Sequence, residues 1–136
     1  MNRLAPPDKL TILGLPVHAG IALRDIKVPK FAAELEAAWL DLSAQRYIGF
    51  DTESKPRFIK GEALAGPDLV QFATATTAYL FQLHDKGAVE VVRKLLSAAN
   101  VIKVGFDLRQ DQTQLMRAVN ASARPILDLD IVCAAP

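Results

Sequence analysis

Three carboxylates stand where a folding chain gains little from them. Asp51 and Glu53 sit in Y-I-G-F-D-T-E (47–53), an otherwise apolar, strand-like run. Residues two apart in a strand share a face, about 6.6 Å apart along the backbone. Two like charges placed so repel one another and are costly to desolvate. The third, Asp111, lies in D-L-R-Q-D-Q-T-Q-L-M-R-A-V (107–119), three residues after Leu108 and four before Leu115. With Leu108, Leu115, Met116 and Val119 as the apolar stripe, Asp111 is on or beside the inward face. The helix dipole favours an acid in a first turn and is the plainer explanation of Asp111. A divalent cation would relieve all three anomalies together. Oxygen ligands, with no Cys cluster and no paired His, select Mg²⁺ or Mn²⁺. Carboxylates of this kind hold the paired ions, about 3.5–4 Å apart, of sites that cleave phosphodiesters. Asp107 has a structural reading: with Gln110 three residues later it fits a capping box.

These acids need elements to position them. Residues 1–19 carry Pro6, Pro7, Gly14 and Pro16 without sustained period and read as an irregular arm, with Leu10, Ile12, Leu13 and Leu15 available to pack on the domain that follows. A domain over 20–136 then opens with a short edge strand in 20–28. Phe31, Leu35, Ala38, Trp39 and Leu42 recur at helical spacing after Pro29, giving a helix near 29–44. Strands follow at 47–53, 69–75 and 78–84, the last two joined by a hairpin at Thr76-Thr77, and residues 54–67 form a loop. A helix at 87–98, a strand at 101–106, a helix at 108–119 and a final strand beginning in 124–133 complete the order. Three strands in an antiparallel meander followed by β-α-β crossovers make an α/β domain, a mixed sheet with flanking helices.

Bulk properties fit a folded domain with a reducing-compartment cysteine count. The chain has 136 residues, 51% apolar, with 16 basic and 15 acidic side chains. That length buries a substantial single core, and the balanced charge confines polyanion binding to local patches and bound metal. Cys133 is the only cysteine, which excludes an internal disulfide and a Cys-based zinc site. The first ten residues lack the apolar stretch of a secretory signal, and no uncharged apolar run approaches the ~18 residues of a membrane span. A cytoplasmic protein without a membrane partner is expected.

Several other side chains could serve a site near the acids. Lys55, Arg57 and Lys60 follow Asp51 and Glu53 in the loop and could position phosphates, or simply face solvent. Phe58 is expected to be buried beneath the loop, with base stacking as the alternative. Gly105 and Phe106 end a strand that points toward Asp111. The glycine would let a nucleotide approach and the phenylalanine would wedge its base, although close strand-to-helix packing also asks for glycine. His18, His84, Trp39, Tyr47 and Tyr79 read as structural, and no Gly-rich phosphate loop is present.

I-G-F-D-T-E and V-G-F-D-L-R-Q-D-Q-T-Q-L resemble the first and second motifs of the DEDD-type 3′-5′ exonucleases, in particular the ribonuclease D and Werner-syndrome exonuclease branch. L-V-Q-F-A and the A-Y-L-F-Q-L hairpin resemble the sequence usually found between them, so the likeness runs over roughly 20–136. The resemblance implies a ribonuclease H-like fold. It makes Asp51, Glu53 and Asp111 metal ligands and catalytic acids, and places Gln71 near the site. It implies stepwise removal of nucleoside monophosphates from the 3′ end of single-stranded DNA or RNA, with two Mg²⁺ or Mn²⁺ ions. The family's third motif, with a fourth acid and usually a Tyr, has no match here: no Tyr follows Asp111, and Asp128 and Asp130 fall in the strand that separates the second and third motifs. A domain cut short at its C-terminus is therefore expected, with exposed apolar surface that favours self-association. The alternative function is a catalytically incomplete, exonuclease-like domain that binds nucleic acid or a protein partner. A ribonuclease H-like nuclease that cuts internally is a third.

Overall fold

The computed structural model describes residues 7–56, 58, 60–61 and 66–133. After helix α1 (Lys9–Leu13) and a 3₁₀ turn at Leu23–Asp25 come strand β1 (Ile26–Lys27), helix α2 (Ala32–Ser43) and strands β2 (Tyr47–Glu53), β3 (Leu69–Ala73) and β4 (Ala78–Gln82). Helix α3 (Lys86–Ser97), strand β5 (Ile102–Gly105), helix α4 (Arg109–Val119), strand β6 (Ile126–Asp128) and helix α5 (Leu129–Cys133) follow. The six strands form one sheet in the order β1-β4-β3-β2-β5-β6. β2, β3 and β4 are antiparallel neighbours, whereas β2–β5, β5–β6 and β1–β4 are parallel. The α/β mixed sheet with a three-strand meander is as the element order implied.

Strand alternation decides which face is buried. Ile48 and Phe50 on β2, Val70 and Phe72 on β3, and Tyr79 and Phe81 on β4 turn to one side and are buried. Phe72 stacks on Phe50 with ring centroids 5.6 Å apart and meets Phe81 edge-on at 6.0 Å. Leu35, Ala38 and Leu42 of α2, Val92, Leu95 and Leu96 of α3, and Leu115 and Val119 of α4 close the same core. At about 1.5–3 kcal/mol per large apolar side chain, this one layer supplies most of the folding drive. The Arg93 guanidinium donates to Val119 O at 2.8 Å, tying α3 to α4. On the second face, Gly49, Asp51, Glu53, Leu69, Gln71, Ala73, Leu80 and Val104 are exposed or half-buried.

Four local readings are corrected. The final strand ends at Asp128 and the chain turns into α5, because the Asp128 carboxylate accepts from Asp130 N at 3.0 Å and starts a helix. A short apolar run such as L-D-I-V-C has no periodicity that separates strand from helix. The arm over 1–19 is not irregular throughout: Asp8 accepts from Thr11 N at 2.7 Å and caps α1. Its Leu10, Ile12, Leu13 and Leu15 are exposed and do not pack on the domain. Phe31 stands before α2, exposed, where Glu34 accepts from the backbone N–H groups of Lys30 and Phe31.

Candidate active site

The end of β2 carries the acids in alternation. Asp51 and Glu53 project from the second, open face, where Asp51 pairs with Gln71 and Glu53 with Leu69 of β3. Thr52 points the other way, is half-buried, and donates its hydroxyl hydrogen bond to Asp111 Oδ1. The strand's exit is fixed from β3: Asp68 N donates to Glu53 O at 2.9 Å, and Asp68 Oδ2 accepts from Lys55 N at 2.7 Å. Both acids are thus held on a rigid ladder, and both remain open to solvent.

Helix α4 is aimed by contacts remote in sequence. Its N-terminus is not closed by the expected Asp107–Gln110 box, since Asp107 has φ 49° and Leu108 takes the cap position. Asp tolerates this left-handed geometry better than most residues. The carboxylate of Asp128, twenty residues on, does the capping. Its Oδ1 accepts from Asp107 N at 2.9 Å and its Oδ2 from Leu108 N at 2.9 Å. Partial burial would raise the Asp128 pKa, but the N–H groups of Leu108, Asp130 and Asp107, with the Arg109 charge, hold it below the usual carboxylate value. Gln112 fixes the far side of the helix, donating to Ala123 O at 3.0 Å and accepting from Ala123 N at 2.7 Å.

Gly105 serves this packing, and it also lines the open-face depression beside Phe106. A Cβ there would lie 2.5 Å from Phe50 O and 2.7 Å from a Leu108 methyl. Phe106 is 66% exposed and borders an open-face depression of about 430 Å³ shared with Gly49, Ala73 and Val104. Lys55 lines a cleft of about 510 Å³ with Glu53, Leu69, Gln82 and His84. Arg57 lies outside the described residues. Phe58, expected beneath the loop, is 92% exposed.

The structure brings Asp51, Glu53 and Gln71 onto one surface. Asp111 stands on the helix side of β2, in a polar cavity of about 200 Å³ with Thr52, Ser54, Asp107, Gln110 and Gln114. Among the described residues, no group of three or more His, Cys, Asp or Glu side chains is placed to hold a metal ion. Mg²⁺ usually binds through one or two carboxylates plus waters and substrate phosphates, not an all-protein cage. The solvent-open Asp51–Glu53 pair fits that donor set; a preformed three-carboxylate cage does not describe the site. Neither the Thr52–Asp111 bond nor the capping role of Asp128 follows from a local motif. Strand alternation alone turns Thr52 toward the helix; nothing local marks Asp128 as the cap of a helix twenty residues back.

A profile of 3′-5′ exonucleases matches residues 26–135. The chain belongs to the 3′-5′ exonuclease family. Solved structures agree on the fold. The EXO domain of Aedes aegypti Nibbler superposes with TM-score 0.68 at 23% identity, over 82% of this chain and 56% of that one. Trypanosoma brucei RNase D, in a complex with RNA U12, gives 0.66 at 25% identity, over 76% and 37%. The EXD2 exonuclease domain, soaked in Mg and GMP, gives 0.63 at 18% identity, over 79% and 57%. These neighbours fit the ribonuclease D-like branch and its ribonuclease H-like sheet. The chain spans little more than half of the Nibbler domain and about a third of RNase D. Comparison with curated proteins returns no match. No described helix is long and apolar enough to cross a membrane.

Proposed function

We propose that this exonuclease-family domain shortens single-stranded nucleic acid from its 3′ end, releasing nucleoside monophosphates, with two Mg²⁺ or Mn²⁺ ions in the complete site. The observation that carries the reading is the exposed Asp51–Glu53 pair at the end of β2, flanked by Gln71, in a chain that matches the family over residues 26–135. Asp51 and Glu53 would hold the cation, and Asp111 stands behind them across β2. When bound, such ions generate hydroxide from water and offset the charge of an in-line displacement. Lys55 meets the phosphate backbone at the cleft beside Glu53, and Phe106 stacks on a terminal base. RNA in the T. brucei RNase D complex and Mg with GMP in the EXD2 domain support this choice of ligands.

A second reading is a domain that binds nucleic acid without cleaving it. It is favoured by the separation of Asp111 from the open-face pair. A 5′-labelled single-stranded RNA incubated with the protein and Mn²⁺ separates the readings. A ladder receding from the 3′ end, absent in Asp51→Asn, is expected. Retention without shortening would favour the binding module, and internal cuts would favour an endonuclease.

A further inference from the structure

Two recesses border the Asp51–Glu53 pair, one toward each end of β2. Gly49 lines the depression beside Phe106, and Glu53 lines the cleft of about 510 Å³. Four residues separate Gly49 from Glu53, about 13 Å of strand, with Asp51 midway. The cleft extends across the sheet from there: Glu53 pairs with Leu69, and Leu69 with Gln82, so the three share the open face. Pro67, Leu69 and Leu83 form its apolar part, and Lys55, Gln82 and the exposed His84 its polar part. Among the described residues, no hydrogen bond or ion pair engages the side chains of Lys55, Gln82 or His84. Asp68 is engaged, since its Oδ2 accepts from Lys55 N at 2.7 Å.

A phosphodiester carries a nucleotide on either side, and the acids proposed to act on it lie between two recesses. With the terminal base on Phe106, the other recess is left for the nucleotide on the 5′ side of the bond. We infer that the cleft beyond Glu53 binds this second nucleotide from the 3′ end. Its base lies against Pro67, Leu69 and Leu83, its polar edge is hydrogen-bonded by Gln82 and His84, and Lys55 meets its phosphate. Mostly apolar walls with a few polar groups, in a volume of about 300–1,000 Å³, are the usual make-up of a small-molecule site. The inference rests on the exonuclease reading above and deepens it: the domain recognises a nucleotide that it does not release in that step.

The test is release of the first nucleotide, with Mn²⁺, from a 5′-labelled oligouridine and from the same RNA with an abasic residue second from its 3′ end. The parent is expected to show a higher KM for the abasic RNA. Gln82→Leu combined with His84→Ala removes two hydrogen-bonding groups and is expected to raise KM for oligouridine roughly tenfold. The same double variant is expected to leave KM for the abasic RNA near the parent value, because the contact is already missing there. Equal KM for both RNAs in the parent would overturn the inference, as would an equal loss on both RNAs in the variant. The latter is what a merely structural role of Gln82 and His84 produces. Either result leaves the exonuclease reading intact, because the parent still shortens RNA. A parent that does not shorten oligouridine would remove the reading and this inference together.

Discussion

Lys103 is the one fully buried charged side chain among the described residues. Its ammonium donates to the carbonyls of Ala98 (3.1 Å), Val101 (2.9 Å) and Arg124 (2.8 Å), using all three protons. Burial still disfavours the charge and brings its pKa down from 10.5 to about 8. The unfolded chain therefore holds this proton more tightly than the folded one between those two values. Stability should rise as pH increases from about 8 toward 10.5, and the rise should flatten in Lys103→Met, as read from urea midpoints across that range. Gly105→Ala tests a different residue-scale constraint. Its Cβ would meet backbone, which cannot yield as a side-chain tip does, so a loss of roughly 1–3 kcal/mol in urea unfolding is expected. Asp51, Glu53 and Asp111 were legible as anomalies because each breaks an apolar pattern. Gly105 was not, since a free approach and a filled one ask for the same residue.

At the scale of elements, the second-motif helix depends on a strand at the sheet's edge. Asp128 on β6 accepts three backbone N–H groups, two of them at the turn into α4. Asp128→Ala would leave those donors without it, and removal of such a cap typically costs about 1–2 kcal/mol. The folded pKa of Asp128 lies below its ordinary 3.8. Its contribution is thus fully present above the unfolded value and lost as pH falls through the folded one. The stability difference between parent and Asp128→Ala should therefore shrink on acidification below about pH 4, a comparison made by thermal melts from pH 3 to 7. The helices and the meander were readable from periodicity because each buries one face. The α4 cap and the α5 turn were not, because both are made by the Asp128 side chain, which periodicity does not sense. The capping-box spacing of Asp107 and Gln110 was present, but the φ of Asp107 precludes its use.

At the scale of the whole molecule, a single core lies beneath α2, α3 and α4, and Asp51 and Glu53 occupy the other side of the sheet. That division explains how a two-carboxylate pair can stand on a central strand without being desolvated: Ile48 and Phe50 take the burial, and Asp51 and Glu53 take the solvent. The meander and the crossovers were legible from the run of elements; the strand order places β5 beside β2 and β6 beyond it, with Asp111 of α4 meeting Thr52 of β2. The separation of Asp111 from the pair was not legible, because three acids near one strand end look equivalent in sequence. The central claim is that the open-face pair is a divalent-cation site. Titration calorimetry of Mn²⁺ into the parent chain and into Asp51→Asn and Glu53→Gln tests it most directly. Binding by the parent that is lost or strongly weakened in both variants is expected; equal heats in all three, or none in the parent, would contradict it.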